Sequence, residues 1–477
     1  MADDQNTSQK SQLKNPSNAP WHLLAQQLGP RLISHLDPRY LDRSIPSNLR
    51  YTSVSPQKIA LCESTEDVQA CVKWLKKYPI EFAIRSGGHS YAAFSSSNGL
   101  LIDVSSMKSI EVDPENGLVK VGAGVNTADL LRVLPQYGLM IPTGICPTVG
   151  VSGLCLGGGW GYFARQFGLT CDALIETDII GADGNILPCN STNNAELFWA
   201  LRGGAGGNFG INTSFTFNAF EVKPCTAFTA HWYSDDSGTL IGHLQKTLQH
   251  FPVTIGARIL LITPLVVGTR KPIIQLVGNN FDADANETKK LFKRLFAFSQ
   301  PFQQSFESLD FWQAHDVLAD AMPYDTSFQI RTAYLDKPLN KDAIGTMLNW
   351  LERWPGSSFD PVWITSFFLL GGAINSLKRN ETAYVHRNAQ FLMVMLTAWD
   401  KHAKAGTVTQ NTHWISSYFD SMQKHVLPES YQNFPDLGLT NWSEAYYGEN
   451  LKRLQSIKRK FDQDNFFHFP QSIPVNP

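Results

Sequence analysis

The chain has 477 residues, 43% hydrophobic and 12% aromatic, too long for one ordinary core and apolar enough to fill two or three. Forty Lys and Arg against 42 Asp and Glu leave a formal net charge of −2, so nothing in the composition pulls toward nucleic acid or an anionic membrane, and the expected partner is a small molecule. Seven cysteines, at 62, 71, 146, 155, 171, 189 and 225, form no C-x-x-C pair, which argues against a zinc site or a disulfide scaffold.

The polar start, MADDQNTSQKSQLKNPSNAP, lacks the basic and apolar regions of a secretory signal, and no apolar run reaches the ~20 residues of a membrane span. A cytoplasmic protein is therefore expected, or a secreted one if a leader has been removed, with residues 1–44 as an N-terminal extension. From residue 57 the elements are short: KIALC as strand, STEDVQACVKWLKKY as helix, EFAIR as strand, the loop SGGHSY, then LLIDV as strand. In the helix, Val68, Cys71, Val72 and Leu75 make one apolar stripe behind a Ser/Thr cap. LVKVGAG reads as strand, NTADLLRVLPQYG as a helix ended by Gly138, and ALIETDIIGADGNI as two strands around a turn at Asp183-Gly184. A helix, a glycine loop and an alternating strand, ELFWALRGGAGGNFGINTSFTFNAF, close this first region.

From about 225 to 425 the texture changes to longer strands such as ARILLITPLVV, KPIIQLVG and VWITSFFLL among aromatic-rich helices, which predicts a second, sheet-rich domain. In the tail, Leu451, Leu454, Ile457 and Phe461 mark one packed helix face, with Lys452, Arg453, Lys458, Arg459 and Lys460 expected mostly around the other. Tyr446, Asn450 and Arg453 are spaced i, i+4, i+7 and are expected on a common helix face.

Several stretches carry chemistry. Gly159-Trp-Gly161-Tyr-Phe-Ala164 formally fits the dinucleotide fingerprint, but VGVSGLCLGG before it is too glycine-rich for the buried strand that motif needs. Arg85-Ser86-Gly87-Gly88-His89-Ser90 follows a strand directly; its glycines let backbone N–H groups converge on an anion, with Arg85, Ser86 and Ser90 as added donors, and an ordinary strand-to-turn corner is the alternative. In ESYQNFPD, Tyr431 and Asn433 are expected on one strand face by period two, where burial alone also accounts for the tyrosine. There is no G-x-S-x-G, HExxH, EF-hand loop or Walker A motif.

Together RSGGHSY, CPTVGVSGLCLGGGWG, RQFGLTCD, RGGAGGNFGI, Tyr431-x-Asn433 and YYGENLKRLQSIKRKFDQDNFFHFPQSI resemble the berberine-bridge-enzyme-like FAD-linked oxidases of the vanillyl-alcohol-oxidase superfamily. The resemblance implies an α+β, PCMH-type FAD-binding fold in two domains: residues 45–223 bind FAD, 224–425 form an inserted antiparallel-sheet substrate domain, and 426–477 return to complete the FAD domain. It implies covalent FAD on His89 and Cys146, with Gly150, Gly153, Gly157, Gly158, Gly159, Gly161, Gly210, Ile211, Tyr446 and Asn450 against the cofactor. Val149 implies an oxidase, with molecular oxygen as acceptor and hydrogen peroxide as product. Tyr431 becomes the expected catalytic base, with His386 as the alternative helper because Phe167 replaces a second tyrosine that some members carry. Leu154 stands where members commonly have a histidine, and Cys155 is expected to be a buried thiol. The implied reaction is hydride removal from a hydroxyl-bearing carbohydrate or secondary metabolite. Oxidative cyclisation or desaturation of a natural product, or a flavin-bearing binding protein, are the alternatives.

Overall fold

The computed structural model describes residues 15–233, 236–263, 272–320, 326–356 and 362–476. A small sheet comes first, built from β1 (Leu32–Ile33), β2 (Lys58–Leu61), β3 (Phe82–Arg85) and β4 (Leu100–Asp103) in the order β1-β2-β4-β3, with β2 and β3 parallel to β4. The crossover from β2 to β3 is the helix Thr65–Lys77, capped by the Ser64 side chain accepting from the Asp67 N–H. Its stripe of Val68, Cys71, Val72 and Leu75 is fully buried, as the spacing predicts. The carboxyl end of β3 opens straight into residues 86–90, the end of a parallel sheet where ligands bind.

The next strands are β5 (Ile110–Asp113), β6 (Leu118–Gly122), β7 (Leu139–Met140), β8 (Leu174–Ile180), β9 (Ile186–Asn190), β10 (Ile211–Asn218) and β11 (Phe220–Glu221). Five of them form an antiparallel sheet in the order β5-β6-β10-β8-β9, and β7 pairs with β11. Between β7 and β8 the glycine-rich run, too rich in glycine for a buried strand, forms a short helix, Val151–Leu156. Its buried Val151, Cys155 and Leu156 hold it in the core, which outweighs the ~1 kcal/mol that Gly153 costs inside a helix.

Residues 225–400 build a further, antiparallel sheet of seven strands: β12 (Cys225–Trp232), β13 (Ile255–Thr263), β14 (Ile273–Phe281), β15 (Gln303–Leu309), β16 (Thr326–Leu335), β17 (Val362–Leu369) and β18 (Phe391–Asp400), in the order β15-β12-β14-β13-β17-β18-β16. Side chains alternate across it. On β17, Thr365 bonds the Tyr418 hydroxyl of the covering helix Ala405–Met422 at 3.0 Å, while Phe368 faces the opposite way, toward a cavity.

The tail folds back on the first region. Its helix is not continuous: Trp442–Tyr447 ends at Gly448, with φ of 46°, before Leu451–Phe461 begins, so the spacing of Tyr446, Asn450 and Arg453 does not put them on one face. Lys458 corrects the expected charged face. It is fully buried, paired with Asp462 at 2.7 Å and donating to the carbonyls of Asn208 and Phe467 at 2.5 and 2.6 Å. Among the described residues no helix is long and apolar enough to cross a membrane.

Candidate flavin site and active site

The first region, the open face of the seven-stranded sheet and the tail enclose a cavity of about 310 Å³. The loop after β3 contributes Ser86, Gly87, Gly88, His89 and Ser90 to its wall; Cys146, Val149, Gly150 and Gly153 come from the glycine-rich segment, Gly210 and Ile211 from the start of β10, and Tyr446 from the tail.

Among the described residues no hydrogen bond uses the backbone N–H of Gly87, Gly88, His89 or Ser90, so these donors are left to the cavity. The side chains around them are spent. The buried Arg85 guanidinium donates to the carbonyls of Ser95 and Ser44 at 2.9 and 3.3 Å and to Ser96 Oγ at 2.8 Å. Arg85 does not line the cavity, which corrects its expected anion-binding role: it ties the loop to residues 43–45. Ser86 Oγ donates to the Ala123 carbonyl at 2.7 Å, and Ser90 Oγ accepts from the Phe94 N–H at 2.9 Å.

His89 Nε2 lies 2.9 Å from Thr148 Oγ1, which brings the loop against the segment carrying Cys146. Burial lowers the His89 pKa, leaving a neutral imidazole at neutral pH. Burial likewise pushes the Cys146 thiol up to about 12, with Asp320 adding to the rise and Arg258 opposing it. Cys155 is fully buried and off the cavity wall.

The glycines divide by role. Gly153 is exposed to the cavity, and a Cβ placed on it would meet nothing within 4 Å, so a flat group can lie against that helix turn. Gly157, Gly158, Gly159 and Gly161 do not line the cavity. They admit neighbouring groups instead: a Cβ on Gly157 would stand 2.0 Å from Asn433 Oδ1, and the Gly159 N–H donates to the Tyr431 hydroxyl at 2.9 Å.

Tyr431 and Asn433 lie in a turn, closed by the Phe434 N–H on the Tyr431 carbonyl at 2.9 Å, and not on the expected strand. Proximity still brings them together, with Asn433 Nδ2 3.1 Å from the phenol oxygen. Burial pushes the Tyr431 phenol up to about 12, and the two donated hydrogen bonds work against that rise. Tyr431 and Asn433 both line the cavity.

His386 does not. Its Nδ1 is 2.6 Å from Glu429 Oε2, its Nε2 is 3.3 Å from Gln432 Oε1, and its ring stacks on Tyr334, so it supports the wall behind Tyr431. Asn450 is also off the wall, donating to the carbonyls of Arg379, Thr382 and Ala383, while the Arg453 guanidinium stacks 3.9 Å over the Trp199 ring. Tyr446 stays on the wall, its hydroxyl accepting from the Asp436 N–H at 3.0 Å.

The structure adds wall residues that stand outside the motifs, Arg258 on β13, Asp320 and Phe368 on β17, and it places Tyr91 and Phe434, which stand inside them, beside Tyr431. One signal was available for Arg258, a charge in the middle of the otherwise apolar strand ARILLIT.

A cavity with free backbone donors at one loop, an open glycine face and buried aromatic walls suits a flat ring system joined to a pyrophosphate, and these residues fit FAD. Residues 56–190 match the FAD binding domain family, and residues 430–474 match the family described as berberine and berberine like. The chain is similar to the FAD-linked oxidoreductase YgaK of Bacillus subtilis, 34% identical over 93% of this chain and 96% of that one. It is also similar to berberine bridge enzyme-like 5 of Arabidopsis thaliana, 30% identical over 90% and 87% of the two chains. Wild-type BBE-like 1 of Physcomitrella patens superposes with a TM-score of 0.84 at 27% identity, over 96% of this chain and 99% of that one. The chain is an FAD-linked oxidoreductase with the α+β, PCMH-type FAD-binding fold and belongs to the berberine-bridge-enzyme-like family.

Proposed function

We propose that this protein is an oxidase that removes a hydride from a hydroxyl-bearing carbon of a small molecule, a carbohydrate or secondary metabolite, with FAD held covalently at His89 and Cys146. The observation that carries this reading is that His89, Cys146 and Tyr431, whose hydroxyl is twice hydrogen-bonded, line one and the same cavity. FAD, when bound, supplies the two-electron acceptor, and molecular oxygen regenerates it with release of hydrogen peroxide.

Residues 45–223 and 426–477 hold the cofactor in this reading, and the sheet of 224–425 presents the substrate. Tyr431 takes the hydroxyl proton. Its oxygen is oriented by the Gly159 N–H and Asn433, donors that stabilise the phenolate more than the phenol. Phe368, Phe434 and the other apolar walls exclude water from the reacting carbon. Val149 lines the cavity with Cys146, and the family resemblance makes it the residue over the oxygen-reacting face. The test is peroxide release across a panel of sugars, alcohols and phenolic alcohols; release from at least one supports the reading, and release from none contradicts it.

A further inference from the structure

The cavity contains a charge pair that the reaction above leaves unused. Arg258, 5% exposed, stands mid-strand on β13, and its Nη1 donates to Asp320 Oδ2 at 2.7 Å. Its guanidinium carbon is 5.2 Å from the Phe368 ring centroid, and its buried Nε has no hydrogen-bond partner among the described residues. Asp320 is anchored next to Cys146, its N–H donating to the Ile145 carbonyl at 3.1 Å. Arg258, Asp320 and Cys146 all line the cavity. A buried ion pair rarely outperforms well-packed apolar side chains as a source of stability, so an Arg with a donor still free in a strand of Ile and Leu calls for a use at the cavity.

We propose that Arg258 is the cation that activates Cys146 for attachment to the flavin, and that Asp320 positions that guanidinium and tempers its charge. The inference rests on the reading of Cys146 as a tether. In the attachment the thiol gives up its proton and the sulfur forms a C–S bond to a flavin ring carbon. That carbon loses its hydrogen as a proton, and the two electrons released are taken by molecular oxygen, which leaves with both protons as hydrogen peroxide. The nucleophile is the thiolate, which burial disfavours. A guanidinium keeps its charge at any working pH and favours the thiolate; the Asp320 carboxylate disfavours it. Among the described residues, the other groups that face Cys146 add no charge, because burial holds the phenols of Tyr91 and Tyr162 protonated and, across the loop contact at Thr148, His89 neutral.

The experiment digests the flavin-loaded protein as purified and measures by mass spectrometry the fraction of Cys146 and of His89 peptides that carry flavin. Wild type, Arg258→Met, Arg258→Lys and Asp320→Asn are compared after aerobic incubation near pH 7 and near pH 9.5. Arg258→Met should lower Cys146 attachment at neutral pH by about tenfold, leave His89 attachment in place, and recover at the higher pH as thiolate forms without the cation. Arg258→Lys should retain most attachment. Asp320→Asn should go the opposite way and complete attachment faster than wild type.

Equal Cys146 attachment in wild type and folded Arg258→Met, or no recovery with pH, overturns the proposal, as does Asp320→Asn slowing attachment. Should Arg258→Met fail to fold, the sign of the Asp320→Asn effect decides. Wild type lacking the Cys146 bond removes the tether reading itself, and this inference with it.

Discussion

The hydroxyl of Tyr431 accepts the backbone N–H of Gly159 at 2.9 Å, joining the tail segment to the glycine-rich run across 272 residues of sequence. Tyr431→Phe keeps the ring packed against Phe434 and removes only the oxygen. Substrate-driven flavin reduction should fall by about 10² to 10⁴, the range for losing a positioned acid or base, with flavin content unchanged. Stopped-flow reduction rates check this.

The same tyrosine sets an expected pH dependence. With its phenol pushed up to about 12, Tyr431 is protonated at neutrality, and the phenolate fraction rises tenfold per pH unit below that value. The log of kcat/KM should therefore climb with pH with a slope near one from about pH 6 to 9, and Tyr431→Phe should flatten it. A flat wild-type profile would place the base elsewhere.

The cysteines separate by burial. Cys146→Ala should leave flavin attached at His89 alone, whereas Cys155→Ala should leave both attachments intact and cost about 1 to 2 kcal/mol of stability for a small core void. Flavin retained after acid precipitation, with peptide mapping and a denaturant melt, measures both effects.

Lys458 is predicted to be a stability residue. Lys458→Met leaves the buried Asp462 carboxylate and the carbonyls of Asn208 and Phe467 without their cation, and the expected cost is about 3 to 5 kcal/mol. Because Asn208 sits in the loop that leads to Gly210 on the cavity wall, flavin occupancy should fall as well. Melting curves and the flavin-to-protein absorbance ratio check the two parts.

The loops were the legible part of this site. His89, Cys146, Gly153 and Tyr431 stand in short motifs that resemble those of a known family, so the resemblance singles them out where local residue chemistry alone leaves a structural alternative open, and all four line the cavity. Arg85 and His386 were recognisable as chemistry-bearing types, but their burial and their partners at Ser95, Ser44 and Glu429 depend on packing that no local pattern encodes. The i, i+4, i+7 spacing does not put Asn450 on the face of Tyr446, because Gly448 turns the chain out of the helix between them. The helix Val151–Leu156 is not legible locally, because the propensity of its glycine opposes it and burial of Val151, Cys155 and Leu156 favours it. Arg258 and Asp320 meet only because β13 and the segment after Phe311–Val317 converge on the same wall.

In the proposed reaction one cavity joins a flavin to Tyr431 and a hydroxyl-bearing substrate. The most direct test is anaerobic titration of the flavin-loaded protein with a panel of sugars, alcohols and phenolic alcohols, recording the visible flavin bands before and after air is admitted. At least one compound should bleach the wild-type bands, with colour returning and peroxide appearing in air, and the same compound should bleach Tyr431→Phe at least about a hundredfold more slowly. Bleaching at equal rates in the two proteins, or by no compound at all, would contradict the account.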